Sequence, residues 1–227
     1  MPGTARELGV APFLLVLSSP SGGGKSTIAR HLLDAREDVT YSVSATTRGK
    51  RPGEEEGRHY HFLSRSEFER RVAADEFAEW AEYEGNLYGT LRSEVERGLG
   101  SGRHVVLDIE VAGARQVRKR FPDSVQVFVL PPSASELIHR LTGRNTEPKD
   151  AIARRLAIAS QELMAAAEYD YVVVNDDVVE AVAQVAAILD VEARRVRRIA
   201  NLNVVIDNLR KDLTGLSERL GGSDAPA

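Results

Sequence analysis

The chain has 227 residues, 42% of them hydrophobic, which is enough for a substantial core, as one domain or as a core carrying inserted subdomains. It contains no cysteine, so disulfides, zinc-thiolate centres and cysteine nucleophiles are excluded, and a reducing cytosol suits it. With a net charge of −4, bulk electrostatics give no pull towards nucleic acid, and any polyanion site must be a local cluster of Lys and Arg.

Residues 1–11 read as a disordered leader without the apolar core of a signal peptide. The apolar runs are strand-sized, far short of the roughly 20 residues of a membrane helix, so a soluble, cytoplasmic chain with no membrane partner is expected. FLLVL (13–17), HVVLDI (104–109), VQVFVL (125–130) and YVVVN (171–175) read as buried parallel strands. Helix-length segments lie at about 28–33, 92–99, 112–120, 133–142, 150–168 and 178–197. This alternation predicts an α/β fold, a parallel sheet flanked by helices, whose strand ends offer polar or turn residues at the edge where such sheets bind ligands. Two stretches break the alternation. Residues 41–91, rich in Arg, Glu, Gly, Thr and Tyr, read as an inserted lobe with one short helix near 66–74, and GRNTEPKD (143–150), flanked by Arg140, Arg154 and Arg155, could act as a lid.

The first strand runs into SSPSGGGKST (18–27) and then a helix. In Gly-x-x-x-x-Gly-Lys-[Ser/Thr], backbone N–H groups wrap phosphates, the lysine neutralises charge and the hydroxyl takes a Mg²⁺ coordination position. Gly24, Lys25 and Ser26 fit the second half, whereas Ser19 stands where the pattern has glycine. The placement between strand and helix N-terminus favours an anion, and a plain glycine turn is the alternative.

Together with SVSATTRGKRPGE, HYHF, FAEWAEYEGNLYGT and VVLDIEVAGA, this loop makes the chain strongly resemble the guanylate kinases over about residues 12–192. The resemblance implies a P-loop core (12–40, 92–137 and 156–198), a GMP-binding lobe (41–91), a lid (138–155), and phosphoryl transfer from ATP to GMP, and to dGMP, with Mg²⁺ as cofactor. Ser19, Pro20, Ser21, Gly22, Gly23, Gly24, Lys25, Ser26 and Thr27 would hold the ATP phosphates, Ser26 the metal, and Asn175 the adenine side. Guanine offers N1–H and N2–H₂ as neighbouring donors and O6 as an acceptor, so its receptor needs a carboxylate beside hydroxyls. By resemblance these are Glu79, Asp108, Ser44 and Thr90, while Arg48, Arg51, Tyr60 and Tyr88 take the GMP phosphate. The attacking phosphate oxygen is already anionic, so no general base is assigned, and catalysis falls to Lys25 with the lid arginines Arg140, Arg144 and Arg155. Arg140 could equally be a structural cap. Three positions depart from the common family pattern: Asn145 in the lid, Ala112, and Glu110 for aspartate.

Other readings remain open at this stage. Guanylate-kinase-like modules that bind protein partners, and related kinases acting on a ribose bisphosphate, share parts of the pattern. His59 and His61 alternate in a strand-like piece and could share a metal, although structural histidines fit as well. Arg194, Arg195, Arg197 and Arg198 read as a solvated helix face. In the extension 199–227, Ile199, Leu202, Ile206, Leu209, Leu213, Leu216 and Leu220 repeat at spacings of 3 and 4, a heptad seam predicting a homo-oligomer, with packing onto the chain's own core as the alternative. The phase slips between Val196 and Leu202, so this tail is expected to be a separate or kinked element.

Overall fold

The computed structural model describes residues 8–83, 85–142 and 149–221, with the backbone alone for 149–151 and 221. Residues 12–188 form one compact unit, and the described parts of 1–11 and 189–227 form another. In the first unit, strands β1 (Leu14–Ser18), β2 (Val39–Tyr41), β7 (His104–Asp108), β8 (Val125–Leu130) and β9 (Tyr171–Val174) build a parallel sheet in the order β2-β7-β1-β8-β9. The helices α1 (Lys25–Ala35), α3 (Arg92–Gly100), α4 (Val111–Arg120), α5 (Ala134–Thr142), α6 (Lys149–Leu163) and α7 (Val178–Ala193) lie between or after these strands. On one face of the sheet, Leu14, Val16, Val105 and Leu107 pack with Val95 of α3 and with Ala114 and Val117 of α4. Side chains alternate along a strand, so Leu15, Leu17 and Val106 serve the other face and are also buried.

Two features of this sheet differ from the sequence reading. The strand β2 was not anticipated, because three residues are too few to carry a periodic signal. The YVVV run is an edge strand rather than a fully buried one, with Val172 and Val174 50% and 47% exposed. The segment 150–168 also divides, with α6 ending at Leu163 and a 3₁₀ turn following over Met164–Glu168.

Residues 41–91 contribute a second sheet in the order β4-β3-β6-β5, made of β3 (Ser44–Thr46), β4 (His61–Phe62), β5 (Phe77–Tyr83) and β6 (Asn86–Leu91), with α2 (Arg65–Ala73) beside it. Ser64 caps α2 by accepting from the Glu67 N–H at 3.1 Å. Ala45, Phe68, Phe77, Leu87 and Leu91 form this lobe's own small core.

The second unit holds the tail. Helix α7 ends at Ala193, a 3₁₀ turn spans Val196–Arg198, and α8 covers Leu202–Gly221, the break falling where the heptad phase slips. Residues of the expected leader join this unit: Val10 bridges Ile199, Ala200 donates to the Gly9 carbonyl at 2.8 Å, and Gly9 donates to Asn201 Oδ1 at 2.7 Å. Arg195 and Arg198, read as part of a solvated cluster, both reach Glu192, at 3.1 and 3.2 Å, and Arg198 is buried.

Candidate active site

Parallel order brings the carboxyl ends of β1, β7 and β9 to one edge, where the loops after them meet. After β1 the phosphate loop closes on itself: Gly23 N–H donates to the Pro20 carbonyl at 2.8 Å, and Gly22 and Gly24 take positive φ of 82° and 94°. Gly24 is needed twice over, since a Cβ there would stand 2.2 Å from Asn175 Nδ2. That Asn175 amide, at the end of β9, donates to the Gly23 carbonyl at 2.9 Å. Helix α1 begins at Lys25 with no side-chain cap and no acid in its first turn, and its Thr27 N–H is taken by the Gly24 carbonyl at 3.1 Å.

Lys25 Nζ lies 2.8 Å from Glu110 Oε1 and 3.8 Å from Asp108 Oδ1. Burial opposes the lysine charge, but Glu110 and Asp108 outweigh it and hold the pKa above the ordinary value. Burial pushes the Asp108 carboxyl up, while Lys25 and a hydrogen bond with Ser26 pull it down. Asp108 Oδ1 is buried and accepts no hydrogen bond among the described residues.

The lobe's register explains its polar face. Ser44 pairs with Thr90 and Thr46 with Tyr88, so these four share one face, opposite Ala45, Leu87 and Leu91. A bulge between Phe77 and Glu79 sets Phe77 opposite Leu91 and Glu79 opposite Thr90. Leu91 and Thr90 face opposite ways, so the bulge sends Phe77 into the lobe core and turns Glu79 to the polar face. There Thr90 Oγ1 donates to Glu79 Oε1 at 2.7 Å. The carboxylate is 6% exposed and its pKa is raised, chiefly by burial. Its other oxygen rests against α4, and a Cβ on Gly113 would come within 2.7 Å of Glu79 Oε2. Gln116 of the same helix exchanges hydrogen bonds with the backbone of Trp80, at 2.8 and 3.2 Å, which ties β5 to α4.

Beside this face, the Arg48 guanidinium lies 5.5 Å from the Tyr60 ring centroid, and Tyr60 and Tyr88 meet edge to face at 6.2 Å. Glu54, which sequence reasoning missed, binds Arg48 at 2.7 and 3.1 Å and accepts from the Arg51 N–H at 2.8 Å. Arg48, with Arg51 close by, holds the Glu54 carboxyl well below the usual range. The lone sequence signal for Glu54 was its place after the Arg-Pro-Gly turn.

From α5 and α6, Arg140 binds Glu136 at 2.7 Å and the Asn175 carbonyl at 3.0 Å, and Arg155 Nη2 donates to Ser21 Oγ at 3.4 Å. Arg144, with Asn145, lies outside the described residues. Glu162, also missed, accepts from the Ser21 N–H at 3.2 Å. His59 accepts from the Glu55 N–H at 3.0 Å and His61 sits 3.1 Å from Glu56, so each has a neighbouring acidic residue as its partner.

The arrangement is thus a glycine-rich loop at a helix N-terminus, a buried carboxylate among hydroxyls, and an Arg-Tyr cluster. Residues 12–201 match the family model described as Guanylate kinase. The chain is 52% identical over 190 residues to a guanylate kinase of Symbiobacterium thermophilum, covering 83% of this chain and 90% of that protein. To one of Rubrobacter xylanophilus it is 57% identical over 164 residues, covering 72% and 86%. It is also similar to the crystal structure of guanylate kinase from Anaplasma phagocytophilum, with a TM-score of 0.71, 34% identity, and coverage of 88% of this chain and 96% of that one. Motif order, fold and similarity along most of its length agree that this chain belongs to the guanylate kinase family.

Proposed function

We propose that the chain transfers the γ-phosphoryl group of ATP to GMP, and to dGMP, giving ADP and GDP or dGDP. The observation that carries this is the buried Glu79 carboxylate aligned with Thr90 and Ser44, on a chain whose phosphate loop presents Lys25. In this reading 41–91 is the GMP lobe and 138–155 the lid. Glu79 accepts from guanine N1–H and N2–H₂, with Asp108 at the sheet edge, Ser44 and Thr90 supplying hydroxyls. Arg48, Arg51, Tyr60 and Tyr88 donate to the GMP phosphate. A phosphate oxygen of GMP attacks the γ-phosphorus as the bond to the ADP oxygen breaks. Lys25, Arg140, Arg144 and Arg155 meet the charge on the transferred group, and no proton need be removed.

The residues suit Mg²⁺. The Ser26 hydroxyl and the Asp108 and Glu110 carboxylates offer hard oxygen donors, and the buried Asp108 Oδ1 lacks a hydrogen-bond donor. No group of three acidic or His ligands exists among the described residues, so phosphate oxygens would have to complete the shell. When bound, the ion would neutralise charge between the phosphates. The reading places the enzyme in the cytoplasm, where both nucleotides occur; no helix among the described residues is long and apolar enough to cross a membrane.

The test is ADP release from ATP with GMP, dGMP, AMP, CMP, UMP and a ribose bisphosphate as acceptors. GMP and dGMP are expected to support turnover and the others not. Absence of ADP release with every acceptor would leave the protein-binding module as the better reading.

The exposed apolar seam of α8 supports a homo-oligomer formed through that helix. Along the seam, Ile206, Leu209, Leu213, Leu216 and Leu220 are 42%, 43%, 65%, 48% and 78% exposed, leaving an apolar stripe that a second copy would cover. Light scattering should give the full chain a mass above that of one copy, and deletion of 199–227 should reduce it to one. A monomeric full chain sinks the assembly.

A further inference from the structure

We propose that Glu162 is a positioning residue for the phosphate loop, acting with Arg155 to tie helix α6 to the peptide that opens the triple glycine. This rests on the reading of that loop as the ATP site. The three consecutive glycines have no side chains with which to pack, so beyond the loop's own Gly23–Pro20 bond its shape depends on hydrogen bonds from outside it. Two neighbouring points supply them. Asn175 donates to the Gly23 carbonyl at 2.9 Å, and Glu162 Oε2 accepts from the Ser21 N–H at 3.2 Å. Arg155 Nη2 reaches the hydroxyl of the same serine at 3.4 Å. Arg155 and Glu162 are seven residues apart on α6, two helical turns, and so project from one face of the helix that follows the lid. One residue of the loop is therefore held through both its backbone and its side chain by one helix, and a shift of α6 is felt at Ser21.

Charge alone would predict the reverse role. Glu162 feels the Lys25 and Glu110 charges, so it stands close to where phosphates would enter. A carboxylate that only repelled them would weaken nucleotide binding, and its removal would strengthen it. A positioning carboxylate does the opposite, because its loss frees the Ser21 N–H and lets the loop wander.

The experiment measures ATP KM, GMP KM and thermal melting for the full chain and for Glu162→Ala, Glu162→Asp and Glu162→Gln, with ADP binding by calorimetry as a readout free of turnover. Glu162→Ala should raise the ATP KM and the ADP Kd about tenfold while GMP KM stays within about twofold. Glu162→Asp keeps the charge but withdraws the oxygen by one methylene, so it should show the same nucleotide-specific loss even if the alanine variant folds poorly. Glu162→Gln keeps an acceptor oxygen and should stay within about threefold of wild type. Unchanged or tightened ADP binding in the alanine and aspartate variants overturns the proposal, as does an equal rise in both KM values or a glutamine variant as impaired as alanine. A wild-type chain that binds ADP but releases none from ATP and GMP would instead count against the kinase reading, which separates the two failures.

Discussion

Lys25→Ala is expected to lower ADP formation by about 10²–10³-fold or more, the cost of losing one preorganised group that stabilises developing charge. Lys25 opens α1, and its side chain is 13% exposed. In the substituted chain Asp108 and Glu110 lose their shared cation. Glu110 is 58% exposed and can remain charged in water. Asp108 is enclosed and its pKa already rises with burial, so it can take up a proton in place of the ion pair, and the fold should survive with a lowered melting temperature. The measurement is single-turnover ADP release beside GMP binding and circular dichroism. Near-normal release from a folded variant would remove Lys25 from the chemistry and revive the binding-module reading.

The second large effect is expected at Glu79. Glu79→Gln turns an acceptor oxygen into an N–H₂ group facing guanine's own donors, inside a site where Thr90 already occupies the other oxygen. Sites built on such hydrogen bonds discriminate by about 10⁴, so kcat/KM for GMP should fall on that order while ATP affinity changes little. The pH dependence gives an independent reading. Burial raises the Glu79 pKa above the usual carboxylate value, and the ionised form is the one that receives N1–H and N2–H₂. Lowering the pH from neutral therefore protonates Glu79 earlier than an ordinary glutamate, and GMP KM should climb before ATP KM does. Glu79→Gln should abolish that acid-side rise. Equal turnover by variant and wild type at low GMP would take Glu79 out of the pocket.

Strand cores were legible in the sequence where β-branched runs were long enough to exclude a helix, as in VQVFVL, and where turns bounded them. Short β2 carried no such signal. The seam's break near Val196 was readable because a heptad keeps phase over many residues, so a slip stands out. At the candidate site, family motifs named Glu79, although local sequence alone, acidic from Asp75 to Glu84, gives no sign that it is buried. What buries it is a bulge, a one-residue shift of pairing that no local pattern announces. Gly113 belongs to the same geometry, reading as a helix glycine until Glu79 is seen against it. Glu54 and Glu162 were missed because each acts through a partner brought by folding, Arg48 across a turn and Ser21 from 141 residues away.

On the proposed reading, the Arg48–Glu54 and Lys25–Glu110 pairs would make nucleotide binding an exchange of anions. Each of these two cations already has a carboxylate within 2.8 Å, so neither is left without a counter-charge. An incoming phosphate would displace a tethered competitor whose local concentration is high and constant. The net affinity is then the difference between two similar pairings, smaller than either alone, and the released carboxylate waits nearby to reclaim its cation. On the proposed reading GDP is more highly charged than GMP, and Glu54, as the internal rival for Arg48, would favour its release.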